Sequence, residues 1–208
     1  MTVSIFENFI TIDEVNSLKN YYKEKPYANE KFKDTVDGYR LVYKNKNTDY
    51  DLTESFVHKL LNPKIIEKIG NHTLSGGQLL ESHYPFSPHV DTVTQFEKKD
   101  FYTHKVKITN SGMIIPLEEH AAFNTIFFDL FSEENVVPDT SVNLRKYKHP
   151  YNLSHLSLEM FNYVSNLKIT DVYNWKLGTA VLFDRNQLHC ATNFTQFSLT
   201  KTAIVLFF

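Results

Sequence analysis

Apolar and polar positions change rhythm about a third of the way along this chain. In the first part, Val15, Leu18 and Tyr22 recur at helical spacing and fall on one face of a helix. Thr11 stands immediately before Ile12-Asp13-Glu14, so it can cap that helix while the carboxylate of Glu14 reaches back to it. Pro26 ends the run. A second amphipathic stretch covers residues 52–69, with Phe56, Leu60, Ile65 and Ile69 as its apolar face and Pro63 expected to split it into two pieces. Gly70 and the pair Gly76-Gly77 then mark the change of regime.

From Gln78 onward the pattern becomes short apolar or alternating runs between turn signals. It predicts strands at residues 78–84, 88–92, 105–108, 113–117 and 124–131, followed by 179–183, 188–194 and 201–207. Asp184-Arg185-Asn186 supplies a turn before the His189 strand, and the polar segment 195–200 leads into the last one. Residues 132–170 form an insertion with a helix expected at 154–167. Helices followed by about eight strands predict an α+β fold, with a double-stranded β-helix core of the jelly-roll or cupin-like kind and the N-terminal helices packed on one sheet. One domain is expected over residues 1–208, with 1–77 as helical support and 78–208 as the core.

Composition agrees with a β-rich interior: the 208 residues include 17 Phe and 12 Tyr but only 6 Gly. A net charge of −2 gives no electrostatic reason to expect a nucleic-acid partner, and no apolar run approaches the length of a membrane span. Cys190 is the single cysteine, so no intrachain disulfide can form, and a reducing, cytoplasmic setting is expected. In that setting the sequons at Asn71, Asn152 and Asn193 carry little weight.

Against this background one set of residues carries chemistry. His89-Val90-Asp91 is an i, i+2 pair, which an extended strand projects to one face, and His189 follows about a hundred residues later. Two imidazoles and a carboxylate on one side of a metal leave the other side open for a co-substrate and dioxygen. Prolines at 85 and 88 restrict the approach to the pair. Lys201 opens the final predicted strand, 12 positions after His189, in a run that otherwise reads as buried and that is expected to pair antiparallel with the His189 strand. A lysine there needs an anionic partner.

These elements, together with Tyr84, Ile114-Ile115-Pro116-Leu117, Asn124-Thr125-Ile126-Phe127 and the run from Trp175 to Phe183, resemble the 2-oxoglutarate/Fe(II)-dependent oxygenase superfamily, in particular its prolyl-hydroxylase-like and phytanoyl-hydroxylase-like members. The resemblance covers residues 78–208. It implies that His89, Asp91 and His189 ligate Fe(II) and that Lys201 pairs with the C5 carboxylate of 2-oxoglutarate. It also implies consumption of O2, release of succinate and CO2, and hydroxylation of a small molecule or a protein side chain, with ascorbate as an accessory reductant.

Two departures stand out. Lysine occupies the co-substrate position where many members carry arginine, and a common Ser or Thr two residues later is replaced by Ala203. Lysine acts as a point charge without the bidentate fork of guanidinium. Thr125 and Tyr84 are the candidates to supply the missing hydrogen bond. Trp175 reads as packing, and Cys190, on the opposite face from His189, as a small core residue. Arg145 and Arg185 are candidates for a substrate carboxylate, with a surface position expected for both, while His83 and His104 lie near the expected mouth. The remaining histidines, His58, His72, His120, His149 and His155, read as surface or capping residues. Two alternatives remain open at this level: a cupin-like metal enzyme that does not use 2-oxoglutarate, and a non-enzymatic jelly-roll binding module. Oligomeric state is not readable.

Overall fold

The structure, a computed structural model, describes residues 3–24, 43–47, 56–72, 76–82, 91, 111–131, 168–192, 194, 197 and 199–208. The N-terminal helix α1 runs over Ile12–Lys23 and begins as its sequence requires. Thr11 Oγ1 accepts from the Glu14 amide at 3.2 Å, and Glu14 Oε2 accepts from the Thr11 amide at 2.7 Å, a reciprocal capping box. Val15, Leu18 and Tyr22 form its buried stripe, as their spacing predicts.

Helix α2 spans Phe56–Ile69 without interruption, so the expected split at Pro63 does not occur. Pro63 lies on the solvent side, where water can satisfy the carbonyl left without a helical donor. The buried stripe of α2 is Val57, Leu61 and Ile65, with Phe56 exposed and Leu60 only partly buried, which rotates the predicted face. Lys64 of α2 meets Glu14 of α1 at 3.1 Å. Among the described residues no helix is long and apolar enough to cross a membrane.

The strands are β1 (Ser4–Phe6), β2 (Tyr43–Asn47), β3 (Gly76–Ser82), β4 (Ser111–Pro116), β5 (Asn124–Phe131), β6 (Ile169–Asn174), β7 (Ala180–Asp184), β8 (Gln187–Ala191) and β9 (Lys201–Phe207). They form a six-stranded sheet in the order β1-β7-β4-β9-β3-β2 and a three-stranded sheet in the order β6-β5-β8, with every pairing antiparallel. β5 and β9 fall where the pattern predicts them. β1, β2 and β6 were not expected: the first two put strands into the supposedly helical N-terminal part, and β6 lies at the end of the supposed insertion. The expected strands at 105–108 and 88–92 (apart from Asp91) and the expected helix at 154–167 lie outside the described residues.

The central strands β4 and β9 of the large sheet are apolar on both faces, which explains why they read as continuous hydrophobic runs. Met113, Ile115, Ile204 and Leu206 pack with α1 and α2, while Ile114, Ala203 and Val205 face the other way, onto Phe127, Tyr173 and Trp175. A third, smaller cluster of Phe128 and Leu188, with Ile126 and Cys190, is separate from both.

The N-terminal segment is docked through Gly178, whose carbonyl accepts from the Phe9 amide at 2.6 Å and the Ile10 amide at 3.3 Å. Gly178 has φ +80°, and a Cβ there would lie 2.8 Å from the Ile10 carbonyl oxygen. Gly178→Ala should therefore destabilise the fold by about 1–3 kcal/mol. Urea unfolding would read this as a lower midpoint at unchanged slope, and an unchanged midpoint would contradict it.

Candidate active site

The chain crosses from the large sheet to the small one at the corner between β7 and β8. There the Asn186 amide donates to Asp184 Oδ1 at 2.9 Å and closes the tight turn that the sequence predicts. His189 follows on β8, opposite Phe127 of β5, and is 5% exposed. Its imidazole sits between aromatic rings, 4.9 Å from Phe183 and 5.8 Å from Phe127 by centroid. Gly112 makes room for this arrangement, since a Cβ there would come within 2.7 Å of the Phe183 ring.

His189 Nδ1 lies 2.9 Å from the Gln187 backbone carbonyl. A carbonyl can only accept, so Nδ1 carries a proton and Nε2 is the nitrogen left for a metal. Nε2 is directed at Asp91, with 3.6 Å to Oδ2. Two donors each about 2.1 Å from one ion stand roughly 3.0 Å apart at a right angle and 4.2 Å apart in line. The observed separation falls inside that interval, so one divalent ion can reach both Asp91 and His189. His89 and Tyr84 lie outside the described residues, as do His83, His104 and Arg145, and no group of three metal-ligating side chains occurs among the described ones.

Lys201 is 4% exposed. Its strand does not pair with the His189 strand, contrary to expectation: β9 lies in the large sheet between β3 and β4, whereas β8 is in the small one. The two residues instead approach one cavity from opposite sheets. Lys201 Nζ donates to the Asn124 carbonyl at 3.1 Å and lies 3.8 Å from the centre of the Trp175 ring. Trp175 Nε1 donates to Thr125 Oγ1 at 2.9 Å. Trp175 is thus more than packing: it holds the ammonium on its π face and fixes the hydroxyl of Thr125 with its indole edge. Because that hydroxyl oxygen is accepting from the indole, its own hydrogen is available to another acceptor.

The cavity between these groups measures about 110 Å³. It brings together Asp91, His189, Thr125, Trp175 and Lys201, within walls that include Ile114, Phe194 and Val205. Ser82, 3% exposed and opposite Lys201 in the β3–β9 register, also lines it. Sequence reasoning missed Ser82, although its position two residues before Tyr84 put both on one strand face. Cys190 touches the rim but packs with Phe128 and Leu188, on the face away from His189. Burial raises its thiol to about 11, so it does not offer a thiolate. His120 is a capping residue, as read, with Nδ1 accepting from the Ala122 amide at 3.1 Å. Arg185 is buried, not on the surface as expected.

No protein-family model and no curated protein sequence matches the chain. Solved structures do. The non-heme alpha ketoglutarate dependent epimerase SnoN from nogalamycin biosynthesis superimposes with a TM-score of 0.56 at 10% identity, over 98% of this chain and 76% of that one. HygX from Streptomyces hygroscopicus, solved with nickel, 2-oxoglutarate and hygromycin B, gives 0.56 at 9% identity over 98% and 81%. The non-heme alpha ketoglutarate dependent carbocyclase SnoK gives 0.58 at 9% identity over 98% and 78%. The chain has the fold of 2-oxoglutarate-dependent non-heme enzymes, and the resemblance read from its motifs is borne out at that level.

Burial lowers the Lys201 ammonium to about 7 from its ordinary 10.5, and among the described residues no carboxylate pairs with it. Below pH 7 both folded and unfolded chains carry this proton, and the folded state bears the full cost of burying the charge. Between pH 7 and 10.5 the unfolded chain holds more protons, so folded stability rises with pH. Lys201→Met should therefore be about 1–4 kcal/mol more stable than the unsubstituted, ligand-free chain near pH 6. The advantage should shrink toward pH 10. Chemical denaturation across that range checks it, and a less stable Met variant at pH 6 would contradict it.

Proposed function

We propose that this chain is an Fe(II)- and 2-oxoglutarate-dependent oxygenase, a single domain over residues 1–208 with its two sheets as a double-stranded β-helix. His89, Asp91 and His189 would hold the iron, and Lys201 would hold the distal carboxylate of 2-oxoglutarate. One observation carries the reading: a buried ammonium with only neutral partners among the described residues shares a cavity with an imidazole and a carboxylate spaced for a divalent ion. A dicarboxylate that chelates a metal at one end satisfies both at once. A cupin-like enzyme without 2-oxoglutarate leaves Lys201 unexplained, and a binding module without metal leaves the His189–Asp91 pair unexplained.

Bound iron, together with 2-oxoglutarate and dioxygen, supplies the oxidising chemistry, with succinate and CO2 as by-products and ascorbate keeping the metal ferrous. This chain's residues do the rest. Gln187 fixes the His189 tautomer, Phe127 and Phe183 hold the ring, and Lys201 with the hydroxyls of Thr125 and Ser82 offers donors to the distal carboxylate; Tyr84 is a further candidate. The apolar walls keep water from the reactive centre. A small-molecule substrate is the preferred reading, since HygX was solved with hygromycin B and the fold is shared; a protein side chain is the alternative. The lone protonated thiol and the requirement for ferrous iron fit a reducing, cytoplasmic setting.

Anaerobic calorimetry on Mn(II)-loaded protein tests this. The expected result is 2-oxoglutarate binding that weakens at least about 100-fold in Lys201→Ala, with Mn(II) affinity unchanged. Asp91→Ala and His89→Ala should instead bind the metal much more weakly, and succinate formation under air should be lost with it. Failure of the wild-type protein to bind 2-oxoglutarate with any divalent ion would overturn the proposal. Because Lys201 must be protonated to bind, wild-type affinity should also fall about tenfold per pH unit above pH 7. A flat profile from pH 7 to 9 would contradict that assignment.

A further inference from the structure

Arg185 is the largest fully buried side chain among the described residues, 2% exposed, and it stands at the corner between the two sheets. Arg185 itself is not among the described residues that line the cavity, but Asp91 and Phe207, both of which it contacts, are. The Asp91 amide donates to the Arg185 carbonyl at 2.9 Å, and Arg185 Nε donates to the Asp91 carbonyl at 3.2 Å. One residue thus engages both backbone hydrogen-bonding groups of Asp91. The guanidinium carbon sits 4.3 Å from the centre of the Phe207 ring, which ties the clamp to β9, the strand of Lys201.

We infer that Arg185 is the positioning residue of the metal site, setting the distance between Asp91 and His189. Both donors are referenced to one five-residue segment, 185–189: Arg185 holds the Asp91 backbone, and the Gln187 carbonyl holds His189 Nδ1. With its peptide groups pinned, Asp91 has only two side-chain torsions left to aim its carboxylate at His189 Nε2. The tight turn at Asp184–Asn186 and the opposition of Phe127 to His189 keep the segment rigid. A guanidinium suits the task because its planar nitrogens can donate sideways to a carbonyl while its face lies on an aromatic ring. This inference rests on the reading of Asp91 and His189 as metal ligands.

Ni(II) binding to the 208-residue chain, measured by calorimetry alongside thermal unfolding of the metal-free protein, tests it. Arg185→Met should weaken Ni(II) binding about 10–100-fold. In an Asp91→Ala background, which binds more weakly to begin with, the same change should alter affinity less than about twofold, because a residue acting through Asp91 has nothing left to position. Should Arg185→Met fail to fold, Arg185→Lys keeps the charge and the stem but not the Nε donor, and it too should weaken the metal. The inference is overturned if either variant binds Ni(II) like wild type, or if Arg185→Met weakens it equally in both backgrounds. Wild-type protein that binds no divalent ion would instead remove the metal reading, and this inference with it.

Discussion

An ammonium group held away from water over the face of an indole is the constraint around which the rest of this structure makes sense. Lys201 has a carbonyl and a π face for company, and neither repays the loss of hydration that a full charge suffers on burial. The interior responds by releasing the proton near neutrality. A folded protein gains nothing in stability from such a group. Its retention makes sense if the charge is completed by an anion that comes and goes, and the cavity beside it ends at a pair of atoms suited to a metal.

The architecture makes that juxtaposition possible because its two sheets contribute different halves of the site. The large sheet is insulated on one face by α1 and α2, which frees its other face to line a cavity with Ser82 and Lys201. The small sheet contributes Thr125 and His189 from adjacent strands. Trp175 and Arg185 bridge the halves. Trp175 leaves β6 to touch Lys201 and Thr125 at once, and Arg185 reaches from the β7–β8 corner to Asp91 and the Phe207 ring. Each bridge uses a cation on an aromatic ring, a contact that tolerates dry surroundings better than an isolated charge does.

Much of this was legible in the sequence, and the gaps have physical causes. The cap at Thr11, the strand at Asn124–Phe131 and the strand at Lys201–Phe207 follow local rules, and the structure agrees to the residue. Pro63 misled because helix breaking depends on whether tertiary contacts hold the stripe together, and Val57, Leu61 and Ile65 do so. β6 escaped notice because its outward residues Ile169 and Val172 are exposed and break the alternation expected of a half-buried strand. Sheet membership was the harder matter. Nothing in the spacing of His189 and Lys201 says that they belong to facing sheets and not to neighbouring strands. The roles of Trp175 and Arg185 share that origin, since a residue that acts across a gap leaves no periodic trace.

Lys201 as proposed receives the second carboxylate of a metal-chelating 2-oxo acid, so an acid that lacks this carboxylate should bind poorly. The most direct measurement compares 2-oxoglutarate with 2-oxopentanoate, which has the same chain length and chelating end but no distal carboxylate, by calorimetry on the Mn(II)-loaded chain at pH 7. 2-Oxopentanoate should bind at least about 100-fold more weakly, because it leaves the buried ammonium uncompensated. Equal affinity for the two acids would contradict it.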